Sequence, residues 1–142
     1  MMNLQIVTLR PEHAAIVPHL RQQDIQEINS SCEWSPKNAV AYSIAHSERG
    51  FAAILDGKIC AVFGVHQGVI WLVGTEDIEK HPVAFYRHSK KIFPFLKAGY
   101  PLLENFVHVN NTLSLRWLQW LGFTIEPPHN NFHHVYYINK ED

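Results

Sequence analysis

The residues best placed to do chemistry lie around one junction between a predicted strand and a predicted helix. The apolar run Leu102 to Val109 is followed almost directly by Asn111, whose side-chain oxygen can cap a helix. The first N–H groups of such a helix are free and can bind a carbonyl, a carboxylate or a phosphate. Asn111 therefore either contacts a ligand or is a plain cap that needs none.

Glu104 lies inside the apolar run and is a candidate general base. A carboxylate that is buried enough to have a raised pKa can accept a proton near neutral pH. In an alternating strand, Glu104 shares a face with Phe106 and His108. The alternative is a polar residue of a sheet face or a partner in a salt bridge.

The chain has ten histidines, enough to make its net charge positive by about pH 5–6, since imidazole titrates near 6.5. His66 is either a base at a strand end or an exposed turn residue. His129, His133 and His134 cluster, but no cysteine or carboxylate joins them at a known zinc spacing. We therefore predict no metal site.

Two further groups have alternative interpretations. Arg87, Lys90 and Lys91 form a basic helix face that either binds phosphates or an acidic protein, or is simply solvated. Trp117 and Trp120 are three residues apart in the helix after Asn111. If one is exposed, it indicates a contact surface for a partner or for a homodimer; otherwise both cover the sheet.

Length and composition limit the class of protein. The 142 residues suit one domain, residues 1–142, and the net charge of −1 gives no general attraction for nucleic acid. Cys32 and Cys60 show no CxxC spacing, which is typical of a reducing compartment. No run approaches the roughly 20 apolar residues of a membrane span, and we see no signal peptide. We expect a soluble cytoplasmic protein.

Hydrophobic periodicity and turn residues predict the elements that position these side chains. The predicted strands are Leu4–Leu9, Phe51–Leu55, Ile59–Val65, Val69–Val73, Leu102–Val109, Phe123–Glu126 and His134–Ile138. The predicted helices are Pro11–Ile28 with an interruption at Pro18, one that begins at Ser35-Pro36 and ends near Gly50, Pro82–Ala98 with a kink or early end at Pro94, and the helix after Asn111. The order is β-α-α-β-β-β-α-β-α-β-β.

This order resembles that of the GCN5-related N-acetyltransferase (GNAT) superfamily. The superfamily often has an Asn, a small residue three positions later and a Leu-Gly-Phe end. The matching residues here are Asn111, Ser114, Trp117, Leu118, Leu121, Gly122 and Phe123. In addition, IWLVGTEDIEKHPVAFYRHSKK and YPLLENFVHVNNTLSLRWLQWLGF resemble phage and prophage GNAT-like proteins related to internal virion protein A of short-tailed phages. The resemblance covers roughly residues 51–128.

The resemblance implies an α/β fold with a mixed, mostly antiparallel sheet flanked by helices. It also implies that acetyl-CoA lies between the fourth and fifth strands, where its pantetheine arm pairs with the edge of the fourth strand. A backbone N–H near Val73 or Gly74 would polarise the thioester carbonyl. The residues that the resemblance assigns to the cofactor are Leu72, Val73, Gly74, Asn111, Ser114 and Trp117.

Two positions depart from the GNAT pattern. The glycine-rich loop that binds pyrophosphate is replaced by Glu76 to Pro82, which has no glycine and places three acids near the phosphates. Leu118 occupies the position of the tyrosine that protonates the leaving thiolate in many GNAT enzymes, and Tyr86 is a candidate substitute.

Three functions therefore stay open. The leading expectation is an N-acetyltransferase of phage or prophage type that acts on an unidentified amine. The alternative is a catalytically degenerate GNAT-like protein that acts in virion assembly, and so is virion-associated, or that binds a host protein. The third is an enzyme that uses a different acyl carrier.

Overall fold

The computed structural model describes residues 3–140. The strands are β1 Leu4–Thr8, β2 Arg49–Leu55, β3 Lys58–His66, β4 Val69–Gly74, β5 Leu102–His108, β6 Thr124–Ile125 and β7 Phe132–Ile138. The helices are a 3₁₀ helix Pro11–His19, α1 Gln22–Ser31, α2 Pro36–His46, α3 Glu76–Lys80, α4 Pro82–Lys97 and α5 Thr112–Leu121. No helix in residues 3–140 is long and apolar enough to cross a membrane.

The strands form one seven-stranded sheet in the order β1-β2-β3-β4-β5-β7-β6. Every neighbouring pair is antiparallel except β4 and β5, which are parallel. This is the mixed, mostly antiparallel α/β architecture that the resemblance implied. The parallel pair meets at one position only, Val69 opposite Glu104, so the two strands part beyond it.

Two tight turns set the register of the central meander. Asp56-Gly57 and Gln67-Gly68 join β2 to β3 and β3 to β4, and all four residues have positive φ angles. This is the backbone conformation of two-residue hairpin turns, which favours glycine at the second position. The predicted strands Phe51–Leu55, Ile59–Val65 and Val69–Val73 are therefore confirmed as consecutive antiparallel strands.

The helices pack on both faces of the sheet and bury two apolar clusters. The larger cluster lies beneath α4 and α5, where the rings of Phe63, Phe85 and Trp117 are in mutual contact. The smaller cluster joins the 3₁₀ helix and α2 to the strands through Ile16, Val40 and other residues. Helices thus cover both faces of the sheet in the half that contains β2, β3 and β4.

The predicted interruption of Pro11–Ile28 is confirmed, but it lies just after Pro18. Residues Pro11–His19 form a 3₁₀ helix, Leu20 is extended, and the separate helix α1 begins at Gln22. Pro94 does not end α4, which continues to Lys97. The segment after Gly74 also forms the short helix α3, which sequence patterns did not indicate.

The predicted helix after Asn111 is confirmed as α5. The Asn111 side chain accepts a hydrogen bond from the Ser114 N–H, and Gly122 ends the helix with a φ of 99°. Trp117 is buried and Trp120 is 38% exposed, so the two tryptophans divide between the core and the surface.

We expect Gly122→Ala to lower the free energy of unfolding by about 1 kcal/mol, because a Cβ atom strains the left-handed conformation of this residue. Urea denaturation measures the change. Gln119→Ala, an exposed substitution in the same helix, is the control and should stay within about 0.5 kcal/mol of the wild type. Equal stability of Gly122→Ala and the wild type would show that the left-handed cap imposes no strain.

Candidate functional site

The opening between β4 and β5 begins at Asn105. The Asn105 Nδ2 donates to the carbonyl of Ile70 on β4 at 2.6 Å. Its Oδ1 accepts from the N–H of Phe106, the next residue of β5, at 2.7 Å. A side-chain amide therefore takes the place of a backbone pairing and separates the two strands.

Helix α1 and the residues before it supply partners for the far end of β4. The N–H of Gly74 donates to Asp24 Oδ2 at 2.8 Å, and its carbonyl accepts from the N–H of Arg21 at 2.9 Å. Leu20 forms an isolated antiparallel bridge with Thr75. The edge of β4 at Gly74 and Thr75 is thus covered by a segment of the same chain.

Arg21 is the centre of a buried network of charged and polar groups. Its guanidinium contacts both oxygens of Asp24, at 2.7 and 2.9 Å, and Oε1 of Glu79 at 2.9 Å. It also donates to Asn111 Oδ1 at 3.0 Å. Burial raises the pKa of Asp24, although the Arg21 charge opposes this shift.

Glu27 lies one helical turn from Asp24, and its hydrogen-bond partners among residues 3–140 are uncharged groups. Its carboxylate accepts from the backbone N–H of His108 at 2.8 Å and from Asn111 Nδ2 at 3.1 Å. In the described part of the chain, no lysine or arginine forms a hydrogen bond with it. Burial raises the pKa of Glu27, and these two hydrogen bonds only partly offset the shift.

A cavity of about 360 Å³ fills the opening. Its wall combines the splayed strands with α1, α2 and α5. Its polar side chains include Asp24, Glu27, Ser31, Ser43, Asn105, Asn111 and Ser114, and its apolar ones include Ile70, Leu72, Val73, Phe106, Val107, Trp117, Leu118 and Phe132. A ligand that enters the cavity from solvent could therefore contact both carboxylates and an apolar surface.

One residue of the β4 edge keeps its backbone groups free. The antiparallel ladder with β3 uses alternate residues of β4, so the N–H and C=O of Leu72 point toward the cavity, as those of Gly74 do. Within residues 3–140, no group forms a hydrogen bond with them. Trp117 Nε1–H, in the cavity wall, is buried and also has no partner among the described residues.

Solved structures with the same architecture include acetyltransferases. A GNAT-family acetyltransferase from Bacillus anthracis superposes with a TM-score of 0.62 and 17% identity, covering 97% of this chain and 96% of that one. The PaiA N-acetyltransferase of Thermoplasma acidophilum, solved in complex with coenzyme A, gives 0.63 and 12%, covering 96% and 99%. A spermidine N-acetyltransferase from Vibrio cholerae gives 0.62 and 10%, covering 95% and 93%.

The fold is that of the GNAT acetyltransferases. At these identities the likeness concerns the fold alone. No sequence-family model matches the chain, and no curated protein is significantly similar to it.

The GNAT fold brings most of the predicted cofactor residues together. Leu72, Val73, Asn111, Ser114 and Trp117 all line the cavity. Gly74 lies beside them, but its N–H is bonded to Asp24. The N–H of Val73 belongs to the ladder with β3, so Leu72 is the one residue of β4 in this region whose N–H is free to polarise a carbonyl.

The two predicted catalytic residues do not line the cavity. Glu104 is bonded to His134 Nε2 at 2.8 Å, on the face of β5 that its alternation predicted. The hydroxyl of Tyr86 donates to the carbonyl of Leu113 at 3.1 Å and is buried. Their catalytic roles stay predictions, and the structure does not bring the two residues together.

His66 lies at a turn and contacts an acid. His66 Nδ1 lies 2.9 Å from Glu48 at a turn, and the hydroxyl of Tyr100 is the main cause of a Glu48 pKa near 2. No group of three or more His, Cys, Asp or Glu among residues 3–140 could hold a metal ion.

Coenzyme A fits this site only in part. The free edge at Leu72 suits the amide groups of a pantetheine arm. The region that would meet the nucleotide does not suit it, because α3 has Glu76 and Asp77 in its first turn. Acids at a helix start repel phosphate, and no glycine there lets the backbone approach it.

Sequence reasoning missed Arg21, Asp24, Glu27 and Asn105. The first three recur at a spacing of three residues, which places them on one side of a helix and was an available signal. Nothing local indicated their partners, since Asn111 lies 90 residues from Arg21.

We expect Arg21→Met to destabilise the protein by about 3–5 kcal/mol, because it leaves the buried Asp24 carboxylate unpaired. The double variant Arg21→Met with Asp24→Asn should recover most of this loss, since the asparagine oxygen still accepts from Gly74 without a charge. Chemical denaturation measures both. A double variant as unstable as the single one would show that the unpaired charge is not the cause.

His134 should make stability depend on pH. Hydrogen bonds that its ring donates to the carboxylates of Glu104 and Glu126 raise its pKa above the ordinary value near 6.5. The stabilisation that His134 provides is therefore fully present below about pH 6.5 and is lost as the pH rises through its raised pKa. The difference in denaturation midpoint between the wild type and His134→Gln should shrink from pH 6 to pH 9; a constant difference would exclude this linkage.

Proposed function

We propose that the protein is an N-acyltransferase that transfers an acyl group from a coenzyme A thioester to an amine in the β4–β5 cavity. The observation that carries the proposal is the free Leu72 edge in the same cavity as the buried carboxylate of Asp24 and the half-buried carboxylate of Glu27. The shared fold with acetyltransferases supports it.

Glu27 would prepare the acceptor. An amine attacks a thioester only when neutral, so its ammonium form must first lose a proton. Glu27 has a raised pKa and only uncharged hydrogen-bond partners, whereas Asp24 is neutralised by Arg21. Asn111 and the His108 N–H would hold the Glu27 carboxylate in position for this proton.

The coenzyme A thioester would supply the activated acyl group. The Leu72 N–H would donate a hydrogen bond to the thioester carbonyl. Such an N–H stabilises the negative charge that develops on the oxygen during acyl transfer. The covered edge at Gly74 and the acids of α3 mean that the nucleotide would add little to affinity. We therefore infer recognition mainly through the pantetheine arm.

A second function is supported by the same edge. Leu20 and Arg21 pair with Gly74 and Thr75 where a pantetheine arm would extend beyond Leu72. A catalytically degenerate protein that no longer binds an acyl donor would have a β4 edge covered in this way. The phage type, with a role in virion assembly or in binding a host protein, rests on the sequence resemblance and belongs to this alternative.

Thermal denaturation with millimolar acetyl-CoA separates the two functions. If acetyl-CoA binds, ten times its Kd should raise stability by about 1.4 kcal/mol. Because α3 repels phosphate, 3′,5′-ADP at the same concentration should give no shift. No shift with either ligand would contradict the coenzyme A enzyme and leave the non-catalytic protein or an enzyme that uses a different acyl carrier.

We expect Glu27→Gln to lower kcat about 10²–10⁴-fold and to remove the loss of activity at acidic pH, which protonation of Glu27 would cause. Thiol release from acetyl-CoA with a panel of primary amines measures both. Glu33→Gln, an exposed acid just beyond α1, is the matched control. An unchanged pH profile in Glu27→Gln would exclude Glu27 as the proton acceptor.

A further inference from the structure

One face of the β5–β7 pair is exposed. Register pairs Leu102 with Ile138, Glu104 with Tyr136, Phe106 with His134 and His108 with Phe132. We call these eight side chains the outer face. The alternate residues Leu103, Val107 and Val135 are buried on the opposite side. Because side chains alternate along a strand, this half of the sheet has one buried face and one exposed face.

The outer face is more apolar than a solvated surface. Phe106 is 62% exposed, Ile138 57% and Leu102 40%, and Val69 of β4 adjoins them. The Phe106 ring stacks on His134 with a centroid distance of 5.0 Å. Contiguous exposed apolar surface of this kind marks an interaction site.

The charge of the outer face is acidic. None of its eight side chains is a lysine or arginine, and His134 lies between Glu104 of the outer face and Glu126 at its border, so two carboxylates share one imidazole. A second copy related by a two-fold axis would bring these acids together, and an anionic membrane would be repelled. The complementary partner is cationic as well as apolar.

The outer face is continuous with the cavity. Phe106 and Phe132 belong to both surfaces, and the N–H of His108 holds Glu27. The seven paired residues of β5 span roughly 23 Å, at about 3.3 Å per residue, which suits an extended segment of similar length. A basic side chain of such a segment could reach the cavity acids.

We propose that the outer face binds a polypeptide segment that carries apolar side chains and a lysine. The apolar side chains contact Phe106, Leu102 and Ile138, and the ammonium group enters the cavity toward Glu27. This binding does not require acyl transfer. If acyl transfer occurs, the bound lysine is its acceptor.

Calorimetric titration without any acyl donor tests the proposal. The probes are the N-acetylated tripeptide amide Phe-Lys-Phe and N-acetyl-lysine amide, which share one positive charge. The tripeptide should bind at least tenfold more tightly. Phe106→Ala should remove most of this gain, whereas Phe95→Ala, 67% exposed on α4, should keep it.

Three results would overturn the proposal. They are equal affinity for the two probes, an equal loss in Phe95→Ala, and a concentration-dependent dimer in sedimentation that Phe106→Ala abolishes. Tripeptide binding without thiol release from acetyl-CoA would support the docking surface and contradict only the proposed reaction.

Discussion

Two neighbouring strands that part leave peptide groups without their usual partners, and buried peptide groups need partners. β4 and β5 pair at one position and then separate, so this requirement governs the whole centre of the molecule. Asn105 bonds the first free carbonyl, Asp24 bonds the Gly74 N–H, and Glu27 bonds the His108 N–H. On β4, the backbone groups of Leu72 stay open toward the cavity.

The side chains that pair with the parted strands bring charged groups into the interior. Helix α1 supplies two carboxylates, and burial raises the pKa of both. Arg21 neutralises Asp24 and also bonds Asn111, which ties α1 to the start of α5. The groups that satisfy the parted strands thereby make the cavity acidic. The same side chains thus provide hydrogen-bond partners for the backbone and create an acidic site suited to an amine.

Local signals predicted local structure well. Asn111 and Gly122 marked both ends of α5, and two turns with glycine fixed the central meander. The site depended instead on distant pairs, such as Gly74 and Asp24, 50 residues apart, which no periodic pattern encodes. Alternation placed Glu104 on the correct face of β5, but it could not reveal His134 as its partner.

The central claim is that the open edge of β4 receives an acyl donor, and an amide NMR titration with acetyl-CoA tests it most directly. The account predicts that the Leu72 N–H signal moves with added ligand, as expected for a new hydrogen bond at the free edge. Signals that move only on the basic face of Arg87, Lys90 and Lys91, with Leu72 unchanged, would contradict it.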